Sequence, residues 1–236
     1  MSLWKIAWRS IQQRAVSSSL TALSMALGVA LVVTVLVIMG VVSNSFTQNA
    51  EGFDLIVGAK GGKMQLVLNT VFHLSQPIEN VPWSYYQQFR EGKYAPMVQT
   101  AIPVCMGDNY EGFRVVGTTP EMFDDFEYRQ GKFYKFADGR NFEQDAFFEG
   151  VIGSLVARRT GLKVGDHFEP THGISGEDGH KHDSFEVVGI LEPTGTPNDR
   201  AVFVNMEGFF LLEGHAKPTD EAMTNTPNTM ITLNQP

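Results

Sequence analysis

The sequence predicts an α+β protein: one N-terminal transmembrane helix, then a mixed α/β domain of two lobes on the far side of the bilayer. Three observations predict it. Leu20 to Val42 is one uncharged apolar run, LTALSMALGVALVVTVLVIMGVV. Lys5, Arg9 and Arg14 all precede that run, and no acid occurs before Glu51. Beyond it, short apolar segments bounded by turn residues alternate with short helical stretches, the pattern of strands covered by helices.

At about 1.5 Å of rise per residue the run from Leu20 to Val42 extends ~34 Å, enough to cross a hydrocarbon core of about 30 Å. The apolar region of a cleaved signal peptide is shorter, about 7–15 residues, and ends at a small-residue cleavage site. Val41-Val42-Ser43 makes a poor one. A retained anchor is therefore expected. The segment before it is amphipathic. Trp4, Trp8, Ile11 and Ala15 share one helical face and Lys5, Arg9 and Gln12 another, which suits a helix lying on the inner leaflet. Positive flanks stay cytoplasmic. The chain thus divides into a cytoplasmic amphipathic segment at 1–18, a transmembrane helix at 19–43 and an exported domain at 44–236.

Three of the 18 Lys and Arg precede the span, so 15 remain against all 26 Asp and Glu, leaving the outer part at about −11. That acidity argues against nucleic acid as a partner, which needs a basic footprint. The single Cys105 cannot form an internal disulfide. It lies in an apolar run, AIPVCM, and reads as a small buried hydrophobe.

Within the outer domain, Phe53 to Val57 reads as a short strand closed by Gly58. Met64 to Phe72 fits either a helix or a buried strand. Trp83 to Phe89 follows Pro82 as a helix. Val98 to Met106 and Gly112 to Gly117 read as strands around a turn at Gly107-Asp108-Asn109. Thr119-Pro120 opens a short helix through Phe123. Gly150 to Gly153 is a buried strand, and Ser154 to Thr160 a helix stopped by Gly161. Ser184 to Leu191 and Ala201 to Asn205 are again strands. Phe53, Ile56, Val115, Val151, Ile152, Val187 and Val188 are the expected core.

Four of these pieces, taken in order, carry a family resemblance: FDLIVGAKG shortly after the apolar run, FRVVGTTPEMF, VIGSLVARRTGLKVGDHF and FEVVGILEPTGTPNDRAVFVN. Together they resemble the periplasmic core domain of MacB/FtsX-like ABC-transporter permeases, over about Ile6 to Phe210. The resemblance implies a MacB periplasmic core-like fold at 44–236 and a place in a bacterial inner membrane. It implies a cytoplasmic ABC ATPase, a second permease copy and a periplasmic or lipoprotein partner. It also implies three further transmembrane helices, so the chain is expected to be a fragment. The function so implied is that of a permease subunit. ATP hydrolysis by the partner moves a periplasmic domain, which acts on an exported or envelope substrate. The alternative is a membrane-anchored periplasmic binding or metal-sensing module without transport.

The residues themselves offer no enzyme site. Gly58 to Met64 approaches a phosphate loop, but Met64 stands where the magnesium-binding hydroxyl belongs and Val57 where the first glycine belongs. The segment reads instead as a flexible glycine turn. Ser154 lacks the G-x-S-x-G setting, with Ile152 and Val156 at the glycine positions. ATP hydrolysis is expected to reside in a separate subunit, and no cofactor is required. One stretch does combine ligand types. DHFEPTHGISGEDGHKHDSF holds His167, His172, His180 and His182 among Glu and Asp. His172, His180 and His182, with Asp178 or Asp183 as a fourth ligand, are the candidate metal ligands, for zinc. Neutral imidazole and carboxylate suit that ion, and alternate residues such as His180 and His182 share a side of an extended chain.

Overall fold

The computed structural model describes residues 3–49, 52–75, 77–172 and 183–212. It divides into a helical unit, residues 1–48, and a second compact unit, residues 49–236.

The helical unit contains α1 (Leu3–Gln13) and α2 (Ala15–Asn49). Trp4 and Trp8 lie on the surface of α1, one turn apart. Leu, Ala and Val dominate the middle of α2, and its apolar side chains are exposed along its length. Among the described residues it is the one helix long and apolar enough to cross a membrane. The hydroxyls of Ser19, Thr21 and Thr34 are turned onto its own backbone. Thr21 Oγ1 donates to the Ser17 carbonyl at 3.0 Å and Thr34 Oγ1 to the Ala30 carbonyl at 2.7 Å. That removes the cost of an unsatisfied donor in hydrocarbon.

The second unit is mixed α/β. Its elements are α3 (Lys63–Thr70), α4 (Trp83–Arg90), β1 (Val104–Tyr110), β2 (Phe113–Thr118), α5 (Glu121–Asp124), β3 (Glu127–Arg129), β4 (Lys132–Phe133), β5 (Phe136–Gly139), β6 (Glu149–Ile152), α6 (Ser154–Thr160), β7 (His167–Phe168), β8 (Thr171–His172), β9 (Phe185–Leu191), β10 (Ala201–Asn205) and α7 (Met206–Leu211). The main sheet runs β5-β9-β6-β10-β2-β1-β8, with β7 also pairing β9. β10 is parallel to β2 and antiparallel to β6, and β6 is parallel to β9. β3 and β4 form a separate ribbon.

Two apolar layers cover the two faces of this sheet, because neighbouring residues of a strand point oppositely. Val115, Ile152, Val187, Val202 and Val204 join Val156 of α6 and Phe209 of α7 on one face. Val116, Val151, Val188, Ala201 and Phe203 join Met122 and Phe123 of α5 on the other. The two expected cores are thus the two sides of one sheet within a single compact unit. Each fully buried Val or Phe contributes roughly 1.5–3 kcal/mol.

Several local expectations change. Phe53 to Val57 is irregular rather than a strand, and Phe53 and Ile56 are only half-buried. The stretch from Val98 to Pro103 is likewise outside any strand. Gly107, Asp108 and Asn109 do not turn the chain. They continue β1 through a bulge between Met106 and Asn109. The reversal comes later, at Glu111 and Gly112, with φ of 46° and 80°. Met64 to Phe72 resolves as a helix, α3, ending at Thr70. α6 stops at Gly161, where φ is 79°.

Candidate functional site

The second unit contains a cleft of about 900 Å³. One wall is irregular chain and helix from Gly52 to Pro103. The other is the sheet face carrying Val116 and Phe203, with Phe126 at its side. The volume falls within the range of about 300–1,000 Å³ typical of small-molecule sites. Trp83, Tyr86 and Phe89 of α4 also line it, as do Ile102 and Met106. Asp125, Glu127 and Arg129 supply charge.

The glycines after Ile56 shape this cleft through close packing. A Cβ at Gly58 would overlap the Leu66 side chain, and one at Gly61 the tip of Ile78. These positions pack against neighbours, where the sequence suggested only a flexible turn. A larger residue at either position would make the tip of Leu66 or Ile78 shift.

A polar chain runs from the cleft lining into the core beneath it. Asn69 sits near the end of α3, and His73 follows one turn later with its amide bonded to the Asn69 carbonyl at 3.0 Å. His73 takes φ of 56°, rare for a residue other than glycine. That conformation turns the chain out of the helix and brings the ring over Phe203, 6.3 Å between centroids and edge-on. His73 Nε2 lies 2.8 Å from Asn198 Oδ1. Asn198 Nδ2 in turn donates to the Tyr134 hydroxyl. With the Asn198 oxygen as acceptor, the proton of a neutral His73 resides on Nε2, leaving Nδ1 as a bare acceptor. Burial lowers the His73 pKa from its ordinary 6.5, against the Asn198 hydrogen bond and an Asn69 backbone interaction, while the positive charge of Arg114 acts with burial. Tyr134 is pushed up chiefly by burial. Asn69 Oδ1 and His73 Nδ1 are both shielded from solvent.

Cys105 packs against one apolar layer as expected but is partly rather than fully buried. Its thiol reaches the Gly117 carbonyl at 3.5 Å, and burial raises its pKa far above the ordinary value, so it remains a thiol.

The candidate metal residues are only partly placed. His172 lies in β8, opposite Asp108 of β1. His167 lies in β7 opposite Glu186 and is exposed. His180 and His182 lie outside the described residues, as does Asp178. Among the described residues no group of three or more His, Cys, Asp or Glu is placed to hold a metal.

Sequence reasoning missed the Asn69–His73–Asn198–Tyr134 chain. One signal was available: Asn69 and His73 are polar residues four apart that close an apolar stretch. The partner Asn198 is 125 residues away from His73, and no local pattern announces it.

Comparison with known proteins places this geometry in context. Residues 18–235 match the family model described as the MacB-like periplasmic core domain. No curated protein matches the chain.

Proposed function

The chain belongs to the MacB-like periplasmic core domain family, found in ABC-transporter permeases, and from that premise we propose that it works by mechanical coupling. A cytoplasmic ATPase partner hydrolyses ATP. Motion passes through the membrane helix to the periplasmic domain, which acts on an exported or envelope substrate. The observation that carries this reading is the family match over a mixed α/β domain preceded by one long apolar helix. A second permease copy completes the unit, and a periplasmic or lipoprotein partner meets the outer domain. The membrane is the bacterial inner membrane. The N-terminus is cytoplasmic, as the Lys5, Arg9 and Arg14 flank favours.

The chain carries no nucleotide chemistry of its own in this reading. Gly58 and Gly61 pack against Leu66 and Ile78, which supports a structural role for the glycine segment. The test is affinity purification of the full chain from its native membrane. An ABC ATPase and a second copy of the chain are expected to co-purify, with ATP turnover tracking the ATPase. Turnover by the chain freed of that partner, or a chain that purifies alone and monomeric, overturns the proposal.

The zinc reading of His172, His180 and His182 remains a separate proposal for the same domain. The backbone at His172 is held at the sheet edge by β8, which supports it. Calorimetric titration of the full chain with zinc, beside a variant with all three changed to alanine, decides it. Equal heats from the two proteins reject it.

A further inference from the structure

The large apolar side chains that the second unit leaves in water are unevenly placed. Leu55, Met64, Leu74 and Met97 are 69%, 68%, 72% and 75% exposed, whereas no such described residue beyond Pro103 exceeds the 45% of Phe133. Leu55 and Met97 line the same cleft as exposed Val57, Ile78 and Tyr85, so they belong to one surface and are not scattered singly. The turn holding Lys60 and Lys63 joins that surface. Gly61, between them, lies against the tip of Ile78, and both lysines are exposed.

Charge divides the same way. From Glu51 to Pro103, the acids Glu51, Asp54, Glu79 and Glu91 are matched by the bases Lys60, Lys63, Arg90 and Lys93. The whole excess of acid in the outer part therefore falls on residues 104–236. An anionic surface repels that portion and leaves the neutral, apolar one free to approach. Chain connection adds a third observation. The apolar run ends at Val42 and α2 continues to Asn49, ~10 Å of helix, slightly more than a headgroup layer. Gly52 follows three peptide units later, no more than ~11 Å along the chain, and Leu55 and Val57 come directly after it.

We propose that the Gly52–Met97 segment docks on the membrane surface at the C-terminal end of α2, its exposed apolar side chains entering the headgroup region and Lys60 and Lys63 meeting anionic lipid phosphates. Tyr85 and the half-buried Trp83 of α4 suit that depth, since amphipathic aromatic rings favour the membrane–water interface. The apolar residues supply burial and the lysines supply attraction, the combination that holds protein surfaces on bilayers. The proposal rests on α2 as a membrane span and needs neither ATP hydrolysis nor a second copy.

The test places a nitroxide on the full chain in nanodiscs of phosphatidylcholine and phosphatidylglycerol. With Cys105→Ala removing the native thiol, single labels go on Leu55→Cys and Met97→Cys, on Val164→Cys and Leu211→Cys as exposed controls beyond Pro103, and on Val37→Cys within α2. All but the last are surface positions, so the fold tolerates the label. Collision with oxygen, which concentrates in lipid, is compared with collision with a water-soluble nickel chelate. We expect oxygen to dominate at Val37, Leu55 and Met97, and nickel at Val164 and Leu211. Lys60→Gln and Lys63→Gln should each lower the docked-to-free ratio, read from the slow and fast components of the Leu55 label, about fivefold, the factor given by ~1 kcal/mol per charge. Nickel dominating at Leu55 and Met97 while oxygen dominates at Val37 overturns docking and leaves the span intact. Nickel dominating at Val37 as well removes the span itself. Low collision with both agents at Leu55 and Met97, with spin–spin broadening, means a second copy covers the surface and also overturns the proposal. An oxygen preference indifferent to both lysines overturns their assignment to lipid phosphates.

Discussion

Asn198 shows how one side chain can hold two segments of a fold together. Its oxygen meets His73 Nε2 and its amide meets the Tyr134 hydroxyl, so it joins the irregular wall of the cleft to the core beneath it. Asn198→Leu would leave two buried polar groups unpaired. We expect a loss of about 2–4 kcal/mol, read by denaturant titration. Asn198→Asp should restore part of it, since a carboxylate still accepts from His73. A second residue-scale device sits at the start of β6. Arg140 grips Glu149 with two bonds, Nη1 to Oε2 at 2.9 Å and Nη2 to Oε1 at 2.5 Å. Burial raises the Glu149 carboxyl, but the Arg140 hydrogen bond, the Glu143 amide and the Arg140 charge together hold it below its ordinary 4.5. A depressed carboxylate stabilises above the unfolded value, and that contribution is lost as pH falls through the folded one. Arg140→Met should therefore cost about 1 kcal/mol at neutral pH, since the guanidinium is half exposed. The gap between the two proteins should close as pH falls below 4.5. A gap that persists at pH 3 in urea melts would assign the cost to packing instead.

At the scale of elements, the β1–β2 hairpin carries visible strain. Its two-residue turn needs positive φ at both positions, and glutamate occupies the first of them at 46°. Glu111→Asn gives the Asn-Gly pair that such turns favour. It should stabilise the domain by about 0.5–1 kcal/mol, measured as a rise in melting temperature. Helix α7 depends on its cap. Asn205 Oδ1 accepts from the Glu207 amide at 2.9 Å, while its Nδ2 donates to the Glu143 and Gln144 carbonyls at 3.0 and 2.9 Å. Asn205→Ala should cost about 2–3 kcal/mol, more than an exposed cap, because Asn205 is itself buried and its bonds to the Glu143 and Gln144 carbonyls are lost with the cap. These elements also mark where sequence patterns carry information. β6, α6, β9 and β10 were legible because each is a short Val- or Ile-rich run or a helix with a clear stop. β1 was placed too early, since Gly107-Asp108-Asn109 has the composition of a turn. Its bulge absorbs that composition inside the strand, and Asp108 and Asn109 are buried there. Phe53 to Val57 has strand-forming residues but no neighbouring strand to complete a ladder. Its apolar side chains line the cleft instead.

For the whole molecule, the charge asymmetry across the apolar run was readable at once, while the cleft was not. Its walls come from residues as distant as Gly58 and Phe203, and tertiary packing alone brings them together. The asymmetry yields a direct expectation. Protease added to the periplasmic side of sealed vesicles should digest the domain after Ser43 and leave a tag at the N-terminus intact. Protection of the domain with loss of the tag would reverse the orientation. The sheet order has a further consequence, for the timing of assembly during synthesis. Among the described strands β10 comes last in the chain, yet it lies between β6 and β2 near the middle of the sheet. Until Asn205 has emerged, the β1–β2 hairpin and the β6–β9 pair have no strand to join them, and each presents a bare edge. Folding then waits on contacts of long sequence separation, which are slow to form. A nascent domain halted just short of β10 would be two incomplete sheets open to proteases and aggregation. An arrest-peptide series along the gene should accordingly register little pulling force through β9 and one abrupt rise as β10 clears the exit.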